Sequence, residues 1–131
     1  MLSNQTLDFL DVLCCASRAA YPEGGMLWTY IEGANQAHFK FRDARRVPVA
    51  EALSAEQLGK WLQWAQGDRD PTTDVSIGMA ERLVELLRED IRPDEVLWSF
   101  EDSGSDMKAN IYMARVSDNR YFELELWWSE D

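Results

Sequence analysis

Residues 121–128 read YFELELWW, and this stretch decides the fold. Its large apolar residues recur at every second position, which is the pattern of a strand with one buried face and one solvated face. The set predicted to face the core is Phe122, Leu124, Leu126 and Trp128. The alternate set is Tyr121, Glu123, Glu125 and Trp127. The last strand is therefore predicted to present an exposed tryptophan among carboxylates.

Two stretches before it alternate in the same way, at residues 96–100 and 109–113. Polar segments separate the three stretches, EDSGSD at residues 101–106 and SDNR at residues 117–120. Both segments have the composition of hairpin turns. We therefore predict a three-stranded antiparallel meander at the C-terminus, with one face on the core and the other in water.

The beginning of the chain has helical spacing instead. A helix is predicted from Ser3 or Asn4, either of which can cap it, to about Ala20. The residues along one side of this helix are Leu7, Leu10, Leu13, Cys14 and Ser17, and Phe9 and Val12 widen the apolar stripe. The segment YPEGG at residues 21–25 ends the helix, because proline disfavours a helical residue before it and glycines favour a turn.

A β-hairpin is predicted next. Residues 26–32, MLWTYIE, are rich in aromatic and β-branched side chains, and residues 38–42, HFKFR, alternate between apolar and polar. The segment GANQ at residues 33–36 is a plausible loop between these two strands.

Two more helices separate this hairpin from the meander. Ser54 and Gln57 form a capping-box pattern that predicts the start of the second helix, which Gly67 can end. The third helix is predicted from Val75 or Ser76 to Asp90.

This order of elements predicts an α+β fold in a single domain over residues 1–131. In that fold, about three helices pack against one face of an antiparallel sheet, which contains the N-terminal hairpin and the C-terminal meander. The pattern does not decide whether the first hairpin joins the sheet of the meander.

Composition favours a soluble cytoplasmic domain. Hydrophobic residues make up 46% and charged residues 28% of the 131 residues, as in ordinary globular proteins. No apolar run approaches the roughly 20 residues that cross a bilayer, and the first residues lack the positive charge of a leader, so no membrane association is expected. The two cysteines, Cys14 and Cys15, are neighbours and cannot link distant parts of a fold.

The residues of enzymes and cofactor sites are scarce. His38 is the one histidine, which excludes the usual zinc ligand sets, and the phosphate-binding glycine motifs are absent. A calcium loop beginning at Asp68 would be interrupted by Pro71. Glu123 and Glu125 could serve acid–base catalysis, but glutamates on the wet face of a strand are typical of any solvated sheet. We expect no cofactor, no metal and no enzymatic activity.

The charge is strongly negative, with 24 acidic and 13 basic residues and a net charge of −11. Residues 94–131 contain ten acids and three bases, so most of the excess lies there. Such a surface repels phosphate backbones and attracts cationic partners. A small basic patch, at Lys40, Arg42, Arg45 and Arg46, suggests single-stranded nucleic acid as a ligand, but the overall charge opposes it and we expect no nucleic-acid binding.

These features favour a protein-binding inhibitor, with the profile of a cytosolic immunity protein that neutralises a basic bacterial toxin. The alternatives are an acidic mimic of nucleic acid that blocks a DNA- or RNA-binding protein, and a structural or adaptor subunit. Either a monomer or a homodimer is compatible with the sequence. The residues expected to contact the cationic partner are Trp127, Glu123, Glu125, Glu101 and Asp102.

Overall fold

The computed structural model describes residues 1–20, 25–34, 51–65, 75–102 and 106–129. The elements are helix α1 (Asn4–Ala20), strand β1 (Gly25–Gly33), helices α2 (Glu51–Ala65) and α3 (Val75–Ile91), and strands β2 (Glu95–Asp102), β3 (Asp106–Arg115) and β4 (Arg120–Ser129). The predicted strand at residues 38–42, the basic patch at residues 40–46 and the loop that begins at Asp68 lie outside the described residues.

The four strands form one antiparallel sheet in the order β1-β4-β3-β2. The predicted meander is therefore confirmed, since β2, β3 and β4 are neighbours in chain order. Strand β1 pairs with β4 along its whole length, from Gly25 opposite Ser129 to Gly33 opposite Tyr121. The first strand thus belongs to the sheet of the meander, which was the point that the sequence left open.

The helices cover one face of the sheet, as predicted for this α+β fold. The core joins alternate residues of the strands to the apolar sides of the three helices. The side predicted to be buried in β4 faces this core, with Leu124 and Leu126 fully enclosed. We call the opposite side of the sheet the open face.

The N-terminus of α1 has the predicted cap. The hydroxyl of Ser3 accepts a hydrogen bond from the backbone N–H of Thr6 at 3.3 Å. Thr6 is buried, and its hydroxyl donates to Asp90 of α3 at 2.5 Å, which fixes α1 against α3. The predicted apolar stripe was too wide, because Val12 is 65% exposed.

Helix α2 begins earlier than predicted. The capping-box pattern placed its start at Ser54, whereas the helix starts at Glu51 and Ser54 lies inside its first turn. Glutamate, alanine and leucine at residues 51–53 are strong helix formers, so they extend the helix by a turn. At the other end of α2, the hydroxyl of Ser17 donates to the carbonyl of Ala65 and links the helix to α1.

The connection between β3 and β4 is the tight turn predicted from SDNR. Residues Val116–Asp118 form one turn of 3-10 helix, and Asn119 has a φ of 53°, a left-handed conformation that asparagine tolerates. Arg115 stabilises this turn through hydrogen bonds to Asp118 at 2.8–3.1 Å and to the carbonyl of Ile91 at 2.6 Å. The same guanidinium lies 5.3 Å from the centre of the Phe122 ring.

Candidate functional site

The register of the sheet brings residues from all four strands into rows on the open face. One row runs Leu27, Trp127, Lys108 and Glu101, and the next runs Thr29, Glu125, Asn110 and Ser99. The third row runs Ile31, Glu123, Tyr112 and Leu97. Each row begins on β1 and continues onto β4, so these two neighbouring strands share a continuous surface.

That surface exposes large apolar side chains. Leu27 is 47% exposed, Ile31 49% and Trp127 36%. Thr29 is also exposed, and Glu123 and Glu125 are half-buried between these side chains. We call this set the open-face patch: Leu27, Thr29, Ile31, Glu123, Glu125 and Trp127. The predicted outward orientation of Trp127 and the inward orientation of Trp128 are both confirmed.

A buried amide holds the two carboxylates of the patch together. Asn110 is 2% exposed, and its side-chain nitrogen donates to Oε2 of Glu125 at 2.8 Å and to Oε2 of Glu123 at 3.2 Å. Charge-assisted hydrogen bonds of this kind restrict the positions of both carboxylates before any partner arrives. The two carboxylates therefore form a positioned negative pair beside the exposed apolar side chains of the patch.

The open face was predicted to lie in water, but part of it is buried. Tyr112, Ala114 and Leu97 lie on this side of the sheet yet are buried, and Tyr121 packs against them. Strand β3 is therefore buried on both faces along most of its length. Because alternation reports only which side a residue faces, it could not reveal this second small core or the buried Asn110.

Glu101 and Asp102 are not part of the patch. Glu101 is exposed at the far end of the first row, separated from Trp127 by Lys108. Asp102 is paired with Met107, one position outside that row. The five residues selected from sequence thus divide into a group of three on β4 and a group of two at the end of β2.

Two other acids of the region are neutralised by the protein's own arginines. Asp118 forms an ion pair with Arg115 at 2.8 Å, and Glu32 lies 3.6 Å from Arg120. The guanidinium of Arg115 lowers the pKa of Asp118 through its hydrogen bonds. Hydrogen bonds from the N-terminal ammonium and from Tyr30 likewise lower the pKa of Glu32. Asp118 and Glu32 thus each have an arginine partner within the chain, and Asn110 donates hydrogen bonds to the two carboxylates of the patch.

A groove lies beside Glu101, between α2 and the hairpin of β2 and β3. Its volume is about 350 Å³, and it is lined by Gln57, Lys60, Trp61, Trp64, Phe100, Glu101 and Met107. Trp64 is 52% exposed, whereas Trp61, three residues earlier on α2, is buried. The groove depends on tertiary packing that the spacing of residues in the sequence does not report.

The thiol of Cys14 is not activated as a nucleophile. Burial raises the pKa of the Cys14 thiol to about 11, so the nucleophilic thiolate is scarce at neutral pH. Within the described residues, no three His, Cys, Asp or Glu side chains are grouped to hold a metal ion. None of the helices in the described ranges is long and apolar enough to cross a bilayer.

Comparison of the chain with models of protein families, with curated proteins and with solved structures gave no match. The open-face patch and its chemistry are therefore the basis for assigning a function.

Proposed function

We propose that this protein is a small protein-binding inhibitor, similar in role to a cytosolic immunity protein that neutralises a toxin, and that it binds a cationic protein through the open-face patch. The observation that carries the proposal is the pair Glu123 and Glu125, held by Asn110 among exposed apolar side chains.

The composition of the patch supports a protein partner. Binding hot spots combine a large aromatic side chain with charged groups that become desolvated, and Trp127 beside Glu125 meets that description. Leu27 and Ile31 supply apolar area on the neighbouring strand β1, beside the carboxylates. A lysine or arginine of the partner could bind both carboxylates at once, since their orientation is already restricted by Asn110.

The net charge supports a cationic partner. A charge of −11 raises the rate of encounter with a basic protein, and fixed carboxylates then determine where that protein docks. The exposed leucine, isoleucine and tryptophan are why we propose this role rather than mimicry of nucleic acid. A mimic of a phosphate backbone requires an extended track of acids, whereas apolar side chains make up half of this patch.

The proposal is tested with the proteins encoded by adjacent genes, each co-expressed and measured for binding to the purified chain. The neighbouring gene product that binds most tightly is then used with a charge-reversed variant of the chain. Glu123→Lys with Glu125→Lys should slow association with that protein roughly 10-fold at low salt and reduce the salt dependence of the association rate. Stopped-flow or biosensor kinetics over a range of NaCl concentrations measure both effects.

The control is Glu81→Lys with Glu89→Lys, which changes the charge equally at two exposed positions of α3, away from the open face. This control should retain most of the association rate. Equal slowing by both double variants would show that net charge alone matters and would overturn the role of the patch. If none of the neighbouring gene products binds, the proposed function is wrong.

A further inference from the structure

We propose that the groove between α2 and the hairpin of β2 and β3 binds an uncharged, flat heteroaromatic compound of the purine nucleoside type. This inference is independent of the proposed function, because α2 packs on the helical side of the sheet and the open-face patch lies on the other side. The volume of the groove, about 350 Å³, falls within the usual range of small-molecule sites, about 300–1,000 Å³.

One wall of the groove is a stripe of α2. The residues of this stripe recur at spacings of three and four, which places them on one side of the helix over about 10 Å. They are Gln57, Lys60, Trp61 and Trp64. Trp61 is buried, so the core fixes its ring, whereas Trp64 is 52% exposed. This wall therefore combines one fixed and one accessible indole with two polar side chains.

The opposite wall belongs to the sheet and is also aromatic. Phe100 of β2 and Met107 of β3 line it. The ring of Phe100 is stacked on the ring of Trp98, with 5.9 Å between the ring centres and 3° between the planes. Because Trp98 is buried in the core, this stack holds Phe100 in position. Aromatic side chains on both walls favour a flat ligand, since ring systems of any base stack on them.

The lining of the groove includes a hydrogen-bond donor without an acceptor. Nε1 of Trp61 is buried and has no hydrogen-bond partner among the described residues. Trp61 as a whole is only 7% exposed, and it lines the groove. A buried N–H group without an acceptor is rare and unfavourable in folded proteins. Because an indole can only donate, the ligand that satisfies it carries an acceptor, such as a ring nitrogen or a carbonyl oxygen.

The charges around the groove favour an uncharged ligand. Lys60 and Glu101 line it with opposite signs. The ammonium of Lys60 is exposed and lies 3.9 Å from Glu56, an arrangement in which water screens the charge. An anion is repelled by Glu101 and by the net charge of −11, and a cation is repelled by Lys60. A neutral ring system with acceptors avoids both repulsions.

The first test is a titration of the full chain with adenosine, an uncharged purine nucleoside with ring acceptors. Heteronuclear NMR follows the indole N–H signals of the six tryptophans, and Trp61→Phe identifies the signal of Trp61 by removing it. Adenosine should move that signal with a Kd of roughly 0.1 mM, as the usual free energy of binding per ligand atom predicts for a compound of this size. If adenosine leaves the signal unmoved at about 5 mM, a concentration well above that Kd, the proposal is wrong.

The second test removes one aromatic wall. Trp64→Ala should weaken adenosine binding roughly 10-fold, the usual effect of losing one stacking side chain. Because Trp64 is half-exposed, this variant should keep the fold, which circular dichroism verifies. Val12→Ala, which shortens an exposed apolar side chain of α1, is the control and should bind adenosine like the wild type. An unchanged affinity of Trp64→Ala would place the ligand outside the groove and overturn the proposal.

The third test varies the charge of the ligand on the same ring. Adenosine 5′-monophosphate should bind roughly 10-fold more weakly than adenosine at low salt, and added NaCl should reduce the difference. 5′-Amino-5′-deoxyadenosine, which carries a positive charge, should also bind more weakly than adenosine. Tighter binding of either charged compound would contradict the assignment of an uncharged ligand.

Discussion

Gly25 shows how one residue determines the start of β1. Its φ is 120°, a conformation that residues with a side chain rarely adopt. It also approaches α1 closely, because an added Cβ would lie 3.1 Å from Cγ and 3.3 Å from Cα of Arg18. The glycine thus allows β1 to begin directly beneath the end of α1.

Replacement of this glycine should therefore be costly. Gly25→Ala should lower the free energy of unfolding by about 1–3 kcal/mol, because alanine is strained at this φ and Arg18 must move. The control is Gly78→Ala in α3, where an added Cβ meets nothing within 4 Å. That variant should gain about 0.5–1 kcal/mol, the usual preference for alanine over glycine in a helix. Urea denaturation of both variants measures the difference, and an unchanged stability of Gly25→Ala would contradict the argument.

The elements were predicted well where one short-range signal determines them. The alternation in residues 121–128 gave the strand, the inward Trp128 and the outward Trp127, and Ser3 gave the cap of α1. Prediction was weaker where several signals compete, as at the start of α2. It did not extend to the burial of Asn110 and Tyr112, which depends on contacts between distant residues. The grouping of Glu123, Glu125 and Trp127 followed from alternation alone, but the contribution of Leu27 and Ile31 required the order of the strands.

The turn between β3 and β4 should make the free energy of unfolding depend on pH in the acidic range. Hydrogen bonds from Arg115 lower the pKa of Asp118 in the folded chain below the roughly 3.9 of an unfolded aspartate. The ionised form is favoured by folding, so this stabilisation is present above that pH and is lost as the pH falls through the folded pKa. The loss of unfolding free energy between pH 5 and pH 2 should therefore be smaller in Asp118→Asn than in the wild type.

Urea denaturation across that pH range measures both slopes. Glu81→Gln, which removes one negative charge at an exposed position of α3, serves as the control for the change in net charge. If Asp118→Asn and Glu81→Gln change the slope equally, the hydrogen bonds of Arg115 have no specific effect.

At the scale of the whole molecule, the excess of carboxylates opposes folding. A net charge of −11 on a chain of 131 residues brings like charges together when the chain becomes compact. Salt screens this repulsion, since the Debye length shortens from about 30 Å at 0.01 M to about 10 Å at 0.1 M. Raising the salt concentration should therefore reduce the repulsion among the carboxylates of the folded chain.

Adding NaCl from 10 to 200 mM should accordingly raise the free energy of unfolding. Glu123→Lys with Glu125→Lys changes the net charge from −11 to −7, so the gain of this variant should be smaller than that of the wild type. Thermal denaturation followed by circular dichroism at several salt concentrations measures the two gains. A wild-type chain that loses stability over this range would show that attractive ion pairs outweigh the repulsion.

The pairing of β1 with β4 has a consequence for synthesis of the chain. Gly25 and Ser129 are partners although about a hundred residues separate them, so closing this contact carries a high entropic cost and slows folding. On the ribosome, β1 emerges early and can pair with β4 only after the last strand has been translated. Until then the β1 edge that β4 will cover is exposed to other nascent chains, and protection by a chaperone matters most in that interval.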